Sequence, residues 1–318
     1  MEEASPIEIL PPMTKSRAAR PRKHCVERPR LNFGGVSVVA GALANPLFAI
    51  AQAARSDGAR KINFSGRQRM LIQRAGKFVC LAHLAPKPLP LLAAAEETLA
   101  LHQRTEAGLR DGDEKLGLEP ETNALVLKAL TQASAAFAPY GEIIRDAIES
   151  RTIGSEHLQK IAELNAPALN AMDAAVYVIE RISKSEELSE RLAMLINLAG
   201  RQRMFTQKMV LELCLYRSVY ASEDFRQNLF RTMKRFSISL NIMQRVTPLV
   251  VPEKQYEPLG LNISTGRDAW EALRARMSKA TRPLSDHTGE DVLDIDRRAE
   301  DLLKKMNEIV LLYEGAAR

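Results

Sequence analysis

Residues 62–83 read INFSGRQRMLIQRAGKFVCLAH, and residues 196–217 read INLAGRQRMFTQKMVLELCLYR. The two stretches align without a gap at an offset of 134 residues. Ile62/Ile196, Asn63/Asn197, Gly66/Gly200, Arg67/Arg201, Gln68/Gln202, Arg69/Arg203, Met70/Met204, Gln73/Gln207 and Cys80/Cys214 are identical pairs. That density of identity marks an internal duplication, and a duplicated unit decides the architecture before any single residue does.

Read as a helix, the first copy has three useful stripes. Asn63, Arg67, Met70 and Arg74 share one face by their i, i+4, i+7, i+11 spacing. Phe64, Leu71, Ala75, Phe78 and Ala82 form an apolar face suited to a bundle core. Ile62, Gly66, Arg69 and Gln73 point in a third direction. A glycine inside a helix costs about 1 kcal/mol relative to alanine, and here it permits close approach of a second helix. Arg69 and Arg203 then sit against a neighbouring backbone.

Outward from the repeat, breakers divide the chain into eight helical segments. The first half predicts helices over about Ala59–Ala85 and Leu91–Leu109, a third from just after Pro120 to about Arg151, and a fourth from Ser155 as N-cap either to Ile182 or on into the next helix. The second half predicts helices over about Glu186–Tyr220, Glu223–Arg245 capped by Ser222, Ser264 or Thr265 to Ala280, and Glu290–Tyr313. A loop holding Pro248, Pro252 and Pro258 separates the second and third of these. The fold class is therefore all-α, with two tandem antiparallel four-helix bundles. Their domains are expected at 55–185 and 186–318.

Composition agrees with helices, since aromatics are only 5% of the chain. The net charge is +6, and half of it lies in residues 1–54. No basic stripe interleaved with aromatics follows, so no nucleic-acid partner is expected. Residues 1–54 read as a leader. Lys15, Arg17, Arg20, Arg22, Lys23, Arg28 and Arg30 precede an apolar run, Val36–Ala51, with small-x-small sites at Ala49–Ala51 and Ala51–Ala53. Translation from Met13 rather than Met1 gives the leader a more ordinary length. The expected location is the periplasm; the alternative is a cytoplasmic protein whose first residues are a disordered tail with a short buried helix. No later apolar run reaches membrane-spanning length, so the mature chain is expected to be soluble.

Nothing in the sequence assembles a catalytic centre or calls for a cofactor. His24, His83, His102, His157 and His287 have no i, i+4 pairing, so they read as surface residues and no metal site is expected. Glu96-Glu97 and Glu186-Glu187 read as solvated faces, and Trp270 as core or interface. Cys80 and Cys214 read as small buried hydrophobes. The alternative is a disulfide, if the two halves pair through their first helices in an oxidising compartment.

Guanidinium groups beside a glycine suit a small oxyanion, because they present planar donors and keep their charge. The competing reading is that these arginines pair with acidic residues on adjacent helices. The two copies resemble the PilJ-type sensory domain, the extracytoplasmic module of type IV pili methyl-accepting chemotaxis transducers. They are also similar to the periplasmic four-helix domains of nitrate/nitrite sensor kinases. The resemblance implies that Arg69 and Arg203 grip an anion such as nitrate or nitrite at a helix–helix interface. Gly66 and Gly200 would allow the approach, with Arg67, Arg201, Asn63, Asn197, Met70 and Met204 around it. Arg67 and Arg201 depart from those sensors, which place a small residue after the glycine. The resemblance further implies a membrane-bound transducer as partner, and pairing of the two motif helices, or of each with a symmetry mate, points to an internal pseudo-dimer or a homodimer. The alternative is a structural module of an envelope or pilus-associated complex.

Overall fold

The periodic segments form eight long helices in a computed structural model that describes residues 46–184, 188–218, 222–281 and 289–317. The first half comprises α1 (Pro46–Leu84), α2 (Leu89–Asp111), α3 (Ala124–Ser150) and α4 (Ser155–Ile182). The second comprises α5 (Glu190–Arg217), α6 (Glu223–Val250), α7 (Glu253–Ala280) and α8 (Gly289–Ala316). No strand occurs among the described residues. The basic part of the expected leader and Glu186-Glu187 lie outside the described residues.

Duplication is visible in the helix limits themselves. At both ends α8 is α4 displaced by the same 134 residues that separate Cys80 from Cys214. Within each half the first helix packs on the second and fourth, and the third packs on the fourth and second. These are the neighbours of an antiparallel four-helix bundle. The two bundles meet chiefly along α1 and α5, with further contacts of α1 to α8 and α4 to α5.

Equivalent residues of α1 and α5 face each other at two levels. Near one level a Cβ on Gly66 would lie 3.8 Å from the Gly200 Cα. Fourteen residues on, Cys80 and Cys214 form a disulfide with their Cα atoms 6.1 Å apart. Contact of like with like at levels about 21 Å apart, at 1.5 Å per residue, requires the two helices to run parallel. Ile62, Gly66, Arg69, Gln73 and Cys80 fall on alternating steps of four and three, or on their sum, which is the seam of a coiled coil. The third stripe of the sequence reading is thus the interface between the halves.

This position makes α1 and α5 central rather than one-sided. Ser65, Gln68, Arg69, Gln73 and Lys77 are buried along with the apolar face, and α5 is buried on nearly every residue from Leu192 to Leu215. Buried polar groups need partners. Gln68 Nε2 donates to the His102 carbonyl at 2.9 Å, and Gln202 Nε2 to the equivalent Phe236 carbonyl at 3.0 Å.

Several local expectations are corrected. Gly154, not Ser155, caps α4, and its N–H donates to His157 Nδ1 at 3.2 Å. The proline loop of the second half contracts to Val251 and Pro252. Pro248 lies in the last turn of α6, and Pro258 inside α7, which starts at Glu253 instead of Ser264. Burial of Val251 and Leu259 on either side holds these turns together. Tertiary packing there outweighs the loss of one intrahelical hydrogen bond per proline. Ser222 caps α6 as expected, its Oγ accepting from Phe225 N at 3.4 Å.

The glycine that packing most needs is Gly76. A Cβ there would lie 2.0 Å from the Tyr140 hydroxyl. That hydroxyl is fixed, donating to Ile72 O at 3.1 Å and accepting from Asn165 Nδ2 at 3.2 Å. At Gly66 the tightest contact of an added Cβ would be 3.3 Å, to Arg69 Nη2. We therefore expect Gly76→Ala to destabilise the fold by about 1–3 kcal/mol, as overpacking does. Gly66→Ala should stay within about 1 kcal/mol, since its crowding is offset by helix propensity. Urea melts of the two variants check the ranking, and the reverse order would refute it.

Candidate functional site

The two motif arginines converge on the glycine crossing from opposite sides. An added Cβ on Gly66 would lie 3.3 Å from Arg69 Nη2 and 3.6 Å from Arg203 Nη2, and one on Gly200 3.5 and 3.6 Å from the same two atoms. Each arginine reaches across the seam. Arg69 Nη2 donates to Asn197 Oδ1 at 2.7 Å, and Arg203 Nη2 donates to the Asn63 carbonyl at 2.9 Å. The asparagines are held alike, Asn197 Nδ2 donating to Glu180 and Asn63 Nδ2 to Glu314 at 2.6 Å. Glu180 and Glu314 are again equivalent positions, so the crossing has approximate twofold symmetry.

The symmetry loosens at these contacts, since Arg69 bonds a side-chain oxygen and Arg203 a main-chain one, and it breaks one contact further out. Arg69 Nη1 meets the Asp173 carboxylate at 2.5 Å, and Arg201 Nη2 meets the same carboxylate at 3.0 and 3.1 Å. Asp173 thus bridges two guanidinium groups. Its counterpart 134 residues on is Asn307. Arg203 Nη1 reaches Asn307 Oδ1 at 3.4 Å, a long contact to a neutral group. Arg67 makes no hydrogen bond or ion pair with a described residue; its guanidinium lies 6.0 Å from the Phe64 ring centre. The paired reading of the arginines therefore describes Arg69 and Arg201 but not Arg203 and Arg67.

Electrostatics follow from this difference. Burial pushes the Arg203 guanidinium down to about 9, Arg67 and Arg69 press it in the same direction, and Glu314 alone works against them. Burial also lowers Arg69, to about 10, but Asp173 works against it. Arg67 is lowered by burial and by Arg74. All three remain cationic at neutral pH, and the Arg67–Arg203 side lacks the bridging carboxylate of the other.

A cavity accompanies each side. The first, about 520 Å³, is lined by Asn63, Arg67, Met70 and Arg74, by Asn307 of α8, and by Arg203. The expected stripe Asn63, Arg67, Met70 and Arg74 forms part of its α1 wall, joined by Phe64, Leu71 and Phe78 of the stripe expected to face the core. The second, about 380 Å³, is lined at equivalent places by Arg201, Met204, Lys208 and Asp173. Arg69 does not reach it, being wholly buried behind Asp173.

Sequence reasoning missed Asp173 and Asn307, which lie on the fourth helix of each half, far from the motif. The signal was present: the repeat offset applied to any residue of α4 names its partner on α8. His102 was also misplaced. It is buried and stacked on Phe137 with ring centres 3.9 Å apart, and burial lowers it to about 3, so it stays neutral. Trp270 is core, donating from Nε1 to Ser237 Oγ at 2.9 Å. Of the open alternatives for Cys80 and Cys214, the disulfide holds. Among the described residues no three His, Cys, Asp or Glu side chains gather as a metal site, and no helix is long and apolar enough to cross a membrane.

A family model described as the N-terminal region of type IV pili methyl-accepting chemotaxis transducers (PilJ) matches residues 50–148 and 187–302. The chain belongs to the PilJ family. The two matched segments begin near the two motif helices, so the family pattern occurs twice, in tandem. This gives the chain the character of a chemotaxis-type sensory domain. No curated protein and no solved structure matches it. Asp173 and Asn307 both fall outside the matched segments.

Proposed function

We propose that this PilJ-family chain is an exported sensory module that binds a small anion beside the α1–α5 crossing and acts through a membrane-bound transducer. The two domains, 55–185 and 186–318, would form an internal pseudo-dimer in place of two separate subunits. One observation carries the reading: Arg203 is buried, lines a cavity beside Arg67, and bonds there to neutral oxygens alone. A buried cation with no carboxylate bonded to it, and only Glu314 acting on it from behind Asn63, is costly, and an arriving anion would relieve that cost. Nitrate, nitrite and small carboxylates all suit paired guanidinium groups. The Cys80–Cys214 disulfide supports an oxidising compartment such as the periplasm.

A second reading, a module that only packs helices, is favoured by the Arg69–Asp173 pair, which is satisfied within the fold. Calorimetric titration of the purified chain with nitrate, nitrite, phosphate and acetate separates the two. We expect at least one anion to bind saturably, and Arg203→Ala to weaken it about ten- to a hundredfold, the worth of a charge-assisted contact. Absence of heat with every anion would leave the packing role standing alone.

A further inference from the structure

The two sides of the crossing are the same site in two states of completion. On one, the Asp173 carboxylate bridges Arg69 and Arg201. On the other, Arg203 and Arg67 stand at the equivalent places, Asn307 replaces the aspartate, and Arg203 is open to the larger cavity. The side chain that completes one side names what is missing from the other.

We propose that the Arg67–Arg203–Asn307 cavity binds one monocarboxylate with an apolar body, and that the Asp173 side binds none because its own carboxylate fills the place. The proposal rests on the anion-binding reading above and gives it a ligand class and a stoichiometry. The carboxylate head would bridge Arg67 and Arg203 as Asp173 bridges Arg201 and Arg69, with the Asn307 amide donating to it. An apolar body fits the remaining walls, among them Phe64, Leu71, Phe78, Leu101, Leu303 and Leu311.

The other charges near the cavity argue for a single negative group. Arg74 is already paired with Glu300 at 2.8 Å, and Glu97 lies exposed at the lining. Glu314 stands behind Asn63. A second carboxylate on the ligand would find acidic neighbours and no unpaired cation. On the opposite side, Lys208 is paired with Glu212 at 3.0 Å and Arg235 is exposed, so neither offers a buried cation to a second ligand.

Calorimetric titration of the full chain with acetate, butyrate, hexanoate, succinate and sodium nitrate tests this. One site per chain is expected, tightening from acetate to hexanoate by about fourfold per buried methylene, with succinate at least tenfold weaker than butyrate. Asn307→Asp should weaken hexanoate at least tenfold while its melting temperature stays at or above that of the wild type, because the new carboxylate pairs both arginines. Asp173→Asn should create a second site. Nitrate binding without any carboxylate binding would overturn this proposal and leave the anion-binding reading intact; no binding of any anion would overturn both. Two equal sites in the wild-type chain, or unchanged hexanoate binding in Asn307→Asp, would likewise overturn it.

Discussion

Lys77→Leu is expected to destabilise the fold by about 3–5 kcal/mol, the cost of breaking a buried ion pair from one side. Lys77 is wholly buried, and its Nζ meets Asp296 Oδ1 at 2.6 Å and Glu300 Oε1 at 2.5 Å. Removing the ammonium strands the Asp296 carboxyl, which is itself buried. The duplicated half supplies a control. The residues equivalent to Lys77, Asp296 and Glu300 are Leu211, Ala162 and Ala166. The triple variant Lys77→Leu/Asp296→Ala/Glu300→Ala copies the buried part of an arrangement that this fold already holds and takes a partner only from the part-exposed Arg74, so it should recover most of the loss. Denaturant melts of both variants decide the matter, and a triple variant no better than the single would refute the explanation.

The pH dependence of the single variant has a definite sign. Burial raises the Asp296 carboxyl above its usual range, against the pull of Lys77. The native state therefore holds this proton to a higher pH than the unfolded chain does. Stability from this group is greatest below the ordinary carboxylate range and falls as pH rises through its native value. Without Lys77 the native value climbs further, so the deficit of Lys77→Leu should shrink on acidification. Glu300 is lowered in the native state, with Lys77 and Arg74 opposing the effect of its burial, and so has the opposite sign. Losing Lys77 weakens that contribution as well.

Cys80→Ala/Cys214→Ala is expected to cost about 4–5 kcal/mol. The bridge joins residues 134 apart, and loop-closure entropy for a ring of that size sets the magnitude. Both cysteines are fully buried. Dithiothreitol should lower the melting temperature of the wild type toward that of the double variant and leave the variant unmoved. A wild type indifferent to reductant, with reduction verified by thiol titration, would contradict this.

What the sequence disclosed and what it withheld divide along a physical line. Periodicity and repetition are carried by the chain itself, so the number of helices, the start of α4 and the seam of Ile62, Gly66, Arg69 and Gln73 were legible, while the start of α7 was placed at Ser264 or Thr265 instead of Glu253. Proline chemistry is local too, yet Pro248 and Pro258 sit inside helices because burial of Val251 and Leu259 outweighs a local preference. The pairing of Arg69 with Asp173, and the want of such a pair at Arg203, depend on residues more than a hundred positions away. Only superposing α4 on α8 would have exposed them. Nothing near Lys77 in the sequence marks it out, since its acidic partners lie on the last helix.

The difference between Asp173 and Asn307 at equivalent positions has a consequence for how such a protein can evolve. In an assembly of two identical subunits every substitution occurs twice, so both half-sites change or neither does. Fusing the halves into one chain removes that constraint. One copy of the crossing can be locked by its own side chain and serve as scaffold, while the other is free to drift toward new chemistry without endangering the joint that holds the molecule together.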